Sequence, residues 1–503
     1  MLLGIDVGTT HWKAGLFATD GSPIRLAARP ARVRRTPDGH PYYEPDELWS
    51  TVAGLVRAVV ADADPAEVAA AGVAGMAEAG LLVDRATGRP RSHVVPWFDP
   101  RSREQGEALA RAGDPYERFL HTGLRPGYKH GLAKLLWLRA RDPAIVRGAV
   151  WLSVADYIVL RLSGRMATDP TLAARTYAYR IDEGVWDEPW IRHLDLDPAL
   201  FPPVRPSGDP AGTVCRAAAA ETGLLAGTPA AVAGHDHLCT ALAAGVAAPG
   251  AVVDSMGTAE TLVGTLETTV LGEREFRSGL SYGPHVLPGR LCWLGGLPAS
   301  GGSVEWLRAR LGDEPLSYEQ LDALVAAAAL TPTGILYFPY LSGRGSPHSD
   351  ARARAAFVGL TAAHGRPELA KAVLEGTAFE VEAMRRAAEA AASRRIDEFV
   401  AVGGAKNGHW LQIKADVSGC RLRVPALAEA TLLGAALIAG IGCGAYADEA
   451  EALAAVRDRA VTTIEPDPAR HTSYARLYED GYMALQGPLQ QYSAIFSDMS
   501  STQ

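Results

Sequence analysis

Near the N-terminus, the run GIDVGTTHWKAGLF sets a carboxylate, Asp6, just before a Gly8-Thr9-Thr10 turn. The run VVDSMGTAETLVGTL repeats the arrangement with Asp254, Gly257 and Thr258. In each run glycine permits a tight turn between two apolar strands, so backbone N–H groups and a hydroxyl face outward beside a fixed carboxylate. Such amides suit phosphate oxygens, and such a carboxylate suits a hydrated magnesium ion. One Gly-Thr turn is an ordinary hairpin. Two, one in each half of the chain, imply a nucleotide held between the halves.

Positioning these groups falls to the elements around them. At 503 residues the chain is too long for one core, and two domains with a helical tail are expected. The first half alternates short β-type runs with helical ones, the pattern of an α/β domain. After the first hairpin, PDELWSTVAGLVRAVVADA has the acidic start and apolar spacing of an amphipathic helix, and AAAGVAGMAEAGLLVD predicts strand, loop and strand. TPAAVAGHDHLCTALAAGV predicts a strand that delivers polar side chains just before a helix. In the second half PELAKAVLEGTAFEVEAMRRAAEAAAS predicts a long helix, and EFVAVGGAKNGHWLQIKADVSG predicts strand, glycine turn and helix. AAPGA near Ala248 punctuates the chain, giving segments 1–248, 249–447 and a helical tail over 448–503 that frays at FSDMSSTQ.

Composition narrows the function classes. A net charge of -8 argues against nucleic acid as the main partner. Five cysteines without CxxC spacing fit reduced thiols in a cytoplasmic protein. No signal peptide is expected, because the N-terminus has no basic region and Asp6 interrupts its apolar stretch. The uncharged stretch from Ala430 to Ala447 reaches the lower limit of a membrane span, but Gly434, Gly440, Gly442 and Gly444 favour a buried helix, so no membrane partner is expected. The chain contains no Gly-Lys dipeptide and hence no Walker A loop. A GxSxG at Gly279, Ser281 and Gly283 is followed by Pro284 and Pro288 rather than a helix, which argues against a hydrolase elbow.

From Leu2 to about Gly444 the chain resembles the FGGY family of carbohydrate kinases. The most discriminating residues are Ala355, Phe357, Gly359 and Leu360, followed after a gap by Glu368, Leu369, Ala372, Val373, Leu374 and Glu375. The paired hairpins, GHDHLCTALAAG and VAVGGAKNGHW accompany them in register. The resemblance implies an α/β fold of two actin-like (ribonuclease H-like) domains, with ATP, magnesium and a small sugar meeting in the cleft between them. It also suggests a homodimer.

The resemblance assigns roles to particular residues. Asp236, in AGHDHLC, becomes the catalytic base that accepts the proton of the attacking hydroxyl. Two other readings stay open: a metal cluster of His235, Asp236 and His237, and a helix cap at Asp236. On an extended segment adjacent side chains point to opposite faces, which would let only alternate members of that cluster share an ion. Asp6 is expected to hold magnesium, directly or through water. Gly8, Thr9, Thr10 and Lys13 from the first hairpin, with Gly257 and Thr258 from the second, are expected to contact the nucleotide. Gly403, Gly404, Ala405 and Asn407 form a strand-to-helix turn where a flat base approaches the backbone, and Ala405 breaks any Rossmann fingerprint. Gly301 and Gly302, after Ser300, resemble a further nucleotide contact, although packing of the helix starting near Ser303 explains them equally well.

The sugar pocket is expected from Met76, Glu78, Trp97, Asp99 and Arg101, with Asp236 and His237. Indole covers an apolar sugar face, while carboxylate and guanidinium bond hydroxyls or a substrate carboxylate. Local structure is the alternative for each: a core Trp97, and Asp99 with Arg101 as a surface pair. The chain departs from the family at three places. Met76-Ala77-Glu78 stands where pentulose kinases commonly carry Met-His-Gly, His237 follows the base in place of Asn or Gln, and Gly343-Arg344-Gly345-Ser346-Pro347 replaces Gly-Glu-Arg-x-Pro. These leave the acceptor open among a pentulose or hexulose such as xylulose, a polyol and a sugar acid. Glu78 would repel a sugar acid unless Arg101, His235 or His237 offsets it. Two rival functions are an actin-like ATPase without sugar kinase activity and a sugar-binding regulator on the kinase fold.

Overall fold

The computed structural model describes residues 1–267, 270–403, 407–457 and 460–500. Among them, strands form two large sheets. The first contains Leu2–Val7 (β1), His11–Phe17 (β2), Pro23–Pro30 (β3), Ala70–Gly75 (β4), Pro210–Thr213 (β5) and Pro229–His235 (β6), in the order β5-β6-β4-β1-β2-β3. The second contains Val252–Met256 (β7), Glu260–Glu267 (β8), Ser281–Pro284 (β9), Arg290–Leu297 (β10), Glu398–Gly403 (β11), Arg421–Pro425 (β12) and Val461–Ile464 (β13), in the order β9-β10-β8-β7-β11-β12-β13. Each sheet centres on an antiparallel hairpin, β1-β2 or β7-β8, with a further antiparallel strand on one side and two parallel strands on the other. The duplicated hairpins thus sit in a duplicated α/β plan, the two-domain actin-like fold. Strands β1 and β4 are buried along their whole length, as central strands covered on both faces must be.

The helices that position the site are Pro45–Val60 (α1), Gly131–Arg141 (α2), Asp236–Ala243 (α3), Gly301–Arg308 (α4), Arg366–Ala392 (α5), Gly408–Ser418 (α6), Ala430–Gly442 (α7) and Pro468–Leu477 (α8). Helix α7 comes from the second half of the chain but packs on β1 and β4 of the first sheet and on α3. Glycine makes that approach feasible. A Cβ on Gly4 would stand 2.0 Å from the Leu432 carbonyl oxygen, and one on Gly434 would stand 1.9 Å from that of Cys239. Helix α3 in turn packs against β7 and β8, and one hydrophobic cluster holds Leu2 and Ala74 from the first sheet, Leu238 and Leu433 from the helices, and Val253 and Val263 from the second sheet. The uncharged stretch is therefore buried between elements of both halves. Among the described residues no helix is long and apolar enough to cross a membrane. All five cysteines carry free thiols.

The tail differs from its expected form. Its VTTI segment is strand β13, too short to show an alternation in sequence. Tyr474 and Tyr482 are buried, and their phenols donate to Glu375 Oε1 at 2.8 Å and Glu380 Oε1 at 2.7 Å on α5. Helical backbone runs from Ala484 to Ser500, and the last three residues of FSDMSSTQ lie outside the described residues.

Candidate active site

In the first hairpin, Gly8 N–H donates to the His11 carbonyl at 3.2 Å and closes the turn. Asp6 is buried beside it, and its Oδ1 has no hydrogen-bond partner among the described residues. Burial pushes this carboxyl up to about 8, and the neighbouring Asp236 adds to the rise while Lys13 opposes it. A buried carboxylate oxygen without a donor is costly, and a hard cation relieves that cost, so the residues present fit magnesium. Lys13 is tied elsewhere: its ammonium lies 2.7 Å from Glu429 Oε2, just ahead of α7. Thr9 Oγ1 accepts from Trp97 Nε1 at 2.9 Å and donates to the Met76 sulfur at 3.7 Å, and the Thr9 carbonyl accepts from the Tyr43 hydroxyl at 2.8 Å. Trp97 therefore braces the turn. The exposed Thr10 places its hydroxyl 3.3 Å from His11 Nδ1.

The second hairpin disposes of its carboxylate differently. Asp254 Oδ2 accepts from Lys414 Nζ at 2.6 Å, Lys414 also donates to Glu260 Oε1, and Ser300 Oγ donates to Glu260 Oε2. Asp254, Glu260 and Lys414 are all buried. Asp254 was expected to match Asp6; a lysine on α6 makes it half of an internal ion pair instead. The turn residues Gly257 and Thr258 are exposed, but their carbonyls accept from the amides of Gly301 at 3.1 Å and Gly302 at 3.0 Å. A Cβ on Gly301 would stand 2.5 Å from the Gly257 carbonyl oxygen. These two glycines pack α4 onto the turn. Gly403 has φ 86°, and a Cβ there would stand 2.3 Å from the Met256 carbonyl oxygen. Asn407 caps α6, its Oδ1 accepting from Trp410 N–H at 2.9 Å. Gly404 and Ala405 lie outside the described residues.

Strand β6 ends at His235 and α3 begins at Asp236. Asp236 Oδ1 accepts the His237 N–H at 2.8 Å and lies 3.3 Å from His235 Nε2. Burial pushes the Asp236 carboxyl up to about 7, and Glu78 adds to the rise. His237 does not follow strand alternation, because the helix has begun. Ligand atoms of His235, Asp236 and His237 all lie within 4.8 Å of one another, which corrects the expectation that only alternate members could meet. Both nitrogens of His237 are engaged, however: Nδ1 lies 3.0 Å from Ser255 Oγ and Nε2 lies 3.2 Å from Thr261 Oγ1.

Glu78 occupies the left-handed region, φ 61°, where a non-glycine residue is strained and where functional residues concentrate. Its Oε1 accepts from Arg175 Nε at 3.0 Å and Nη2 at 2.5 Å, with Lys129 Nζ at 3.5 Å. Burial alone would raise this carboxyl, but Arg175, Lys129 and His130 hold it well below the usual range. Its carbonyl accepts from the ammonium of Lys134, which is buried on α2 and also donates to the Lys129 carbonyl at 2.7 Å. Asp99 and Arg101 are a buried pair rather than a surface one. Asp99 Oδ1 accepts Arg101 N–H at 2.9 Å, its Oδ2 accepts from Arg101 Nε, and the guanidinium lies 5.0 Å from the Trp137 ring centre. Those groups brace the loop after Trp97. The offset to Glu78 comes chiefly from Arg175 and Lys129, which the sequence reading did not name. Arg175 carries no local signal, but Lys134 and Lys414 leave a trace, each being a lysine set among apolar residues of a helical run.

Residues 1–243 match the FGGY family of carbohydrate kinases, N-terminal domain, and residues 252–443 match the C-terminal domain of the same family. The chain is 33% identical over 460 residues to a glycerol kinase of Thermus brockianus, covering 88% of this chain and 90% of that one. It is 27% identical over 449 residues to a xylulose kinase of Bacillus subtilis, covering 88% of each. The crystal structure of xylulose kinase from Rhodospirillum rubrum superposes with a TM-score of 0.85 at 27% identity, over 98% of this chain and 99% of that one.

Proposed function

The chain belongs to the FGGY family of carbohydrate kinases, and from that premise we propose that it uses magnesium-ATP to phosphorylate a hydroxyl of a small ketose, polyol or sugar acid, with Asp236 as the base. The observation that carries this reading is the proximity of two carboxyls, buried Asp6 near the end of β1 and partly buried Asp236 just after β6. Asp6 has an oxygen without a partner among the described residues, and the Asp236 carboxyl, pushed up to about 7, is balanced between its two protonation states near neutral pH.

Phosphoryl transfer asks the protein mainly for alignment and charge neutralisation. The acceptor hydroxyl gives its proton to Asp236 as its oxygen bonds the γ-phosphorus, and the bond from that phosphorus to the bridging oxygen breaks, releasing ADP. Asp6 would hold magnesium, which when bound would supply charge neutralisation on the transferring group. The turns at Gly8 to Thr10 and at Gly257 and Thr258 flank the nucleotide phosphates from the two sheets. Glu78, ionised beside Arg175 and Lys129, presents both a hydroxyl acceptor and cationic donors to the sugar. That mixed charge accommodates a neutral polyol and tolerates a carboxylate.

The test is ADP release with magnesium-ATP across ketopentoses, ketohexoses, polyols and aldonic acids, with Asp236→Asn in parallel. One acceptor class should turn over and the variant should lose nearly all of it while still binding nucleotide. Equal turnover by variant and parent would sink Asp236 as the base. Silence across the panel, with nucleotide bound, would favour an actin-like ATPase or a sugar-binding regulator.

A further inference from the structure

His237 stands where the sequence suggests a sugar contact, yet its ring faces the other sheet. Nδ1 lies 3.0 Å from Ser255 Oγ and Nε2 lies 3.2 Å from Thr261 Oγ1. Ser255 and Thr261 are direct cross-strand partners on β7 and β8, so the imidazole clasps the second hairpin just below its Gly257-Thr258 turn. Each hydroxyl both donates and accepts, so either neutral tautomer satisfies both bonds. The backbone N–H of the same residue donates to Asp236 Oδ1 at 2.8 Å. One residue therefore grips the carboxylate on the first sheet's side and the phosphate-facing hairpin on the other.

We propose that His237 is a positioning residue that fixes the Asp236 carboxylate relative to the second hairpin, so that the base and the phosphate-holding turn keep one register during transfer. The inference rests on the reading of Asp236 as the base. A sugar contact predicts a different outcome, since losing uniform binding energy to the substrate raises KM and leaves kcat in place. Losing register lowers kcat instead, because a base displaced by about 1 Å costs on the order of 100-fold.

The experiment compares His237→Ala, the double variant Ser255→Ala/Thr261→Ala, and all three substitutions together, using the panel acceptor with the highest kcat/KM. The hydroxyl variants touch neither Asp236 nor the sugar side, and melting temperature verifies that each protein is folded. His237→Ala and the hydroxyl pair should each lower kcat about 10- to 100-fold, with sugar KM within about twofold of the parent. The triple variant should be no worse than His237→Ala, because all three changes remove the same bonds. His237→Gln, whose amide donates and accepts, should recover part of the loss. A raised sugar KM at unchanged kcat in His237→Ala, parent-like kinetics in the hydroxyl pair, or additive losses in the triple variant would each overturn the inference. Asp236→Asn is measured beside them, and turnover retained there would condemn the base reading itself rather than this link.

Discussion

Asp6, one residue before the end of β1, and Asp254, at the centre of β7, each keep one buried oxygen without a partner among the described residues, but the other oxygen of Asp254 accepts from the ammonium of Lys414 at 2.6 Å. The backbones are alike: an antiparallel hairpin, a glycine turn and a parallel strand alongside. The difference is one lysine on α6, which also bonds Glu260. Burial opposes the charge of Lys414, but Asp254 and Glu260 outweigh it and hold the lysine protonated. Near Asp6 the corresponding cation, Lys13, is drawn off by Glu429. A duplicated fold thus keeps its acid in both copies but sets a lysine in hydrogen-bond contact with the acid of the second, Asp254. That asymmetry supports the proposed cation site at the first hairpin, while Asp254 in the second is held in an internal ion pair.

The largest effect should come from Asp6→Asn. Removing the carboxylate that answers to magnesium should lower kcat about 10³-fold, or about 4 kcal/mol in the barrier, with ATP binding in the absence of magnesium little changed. Measured beside it, Asp254→Asn should cost far less in rate. If the two substitutions lower kcat equally, the asymmetry between the hairpins is false.

Much of this architecture is legible in sequence, and the part that is not has a physical cause. Both hairpins, the strand ending at His235 and the buried helix α7 follow from apolar runs and glycines, which act locally. Asp6 and Asp236 announce themselves as carboxylates at strand ends. What decides their chemistry is a partner's position, and Arg175 lies 97 residues from Glu78 while Lys414 lies 160 from Asp254. No periodicity encodes such a meeting. The same limit explains Asp99 and Arg101, whose alternative reading is a surface pair and which form a buried one. The expectation that only alternate members of His235, Asp236 and His237 could share an ion failed for a subtler reason: strand alternation was carried past the point where the helix starts.

A second test bears on the locked side. Lys414→Met leaves Asp254 and Glu260 buried without their cation, and breaking such a group should cost about 3 kcal/mol in denaturant unfolding. Adding Asp254→Asn and Glu260→Gln removes the uncompensated charge and should restore most of the loss. Stability unchanged in Lys414→Met would show that the lysine is not what distinguishes the second hairpin.

The smallest effect is a difference in how stability responds to pH. The Asp6 carboxyl is raised from 3.8 to about 8 in the folded protein, chiefly by burial. A group raised in this way contributes stability that is fully present below its unfolded value and is lost as pH rises through its folded value. Metal-free protein should therefore melt lower at pH 8 than at pH 5, and magnesium should recover more at pH 8, where it meets an ionised Asp6. Asp236, raised to about 7, and Asp156, also raised to about 7 by burial, add to the same slope, so the informative quantity is the gap between parent and Asp6→Asn. That variant should melt a few degrees above the parent at pH 8 without metal and match it near pH 4, where both side chains are neutral. On the other side, Lys414 is raised rather than lowered, so the lysine stays charged through this whole range. Identical melting curves for parent and Asp6→Asn at pH 8 would mean that Asp6 already has a positive partner, and the contrast between the two hairpins would disappear.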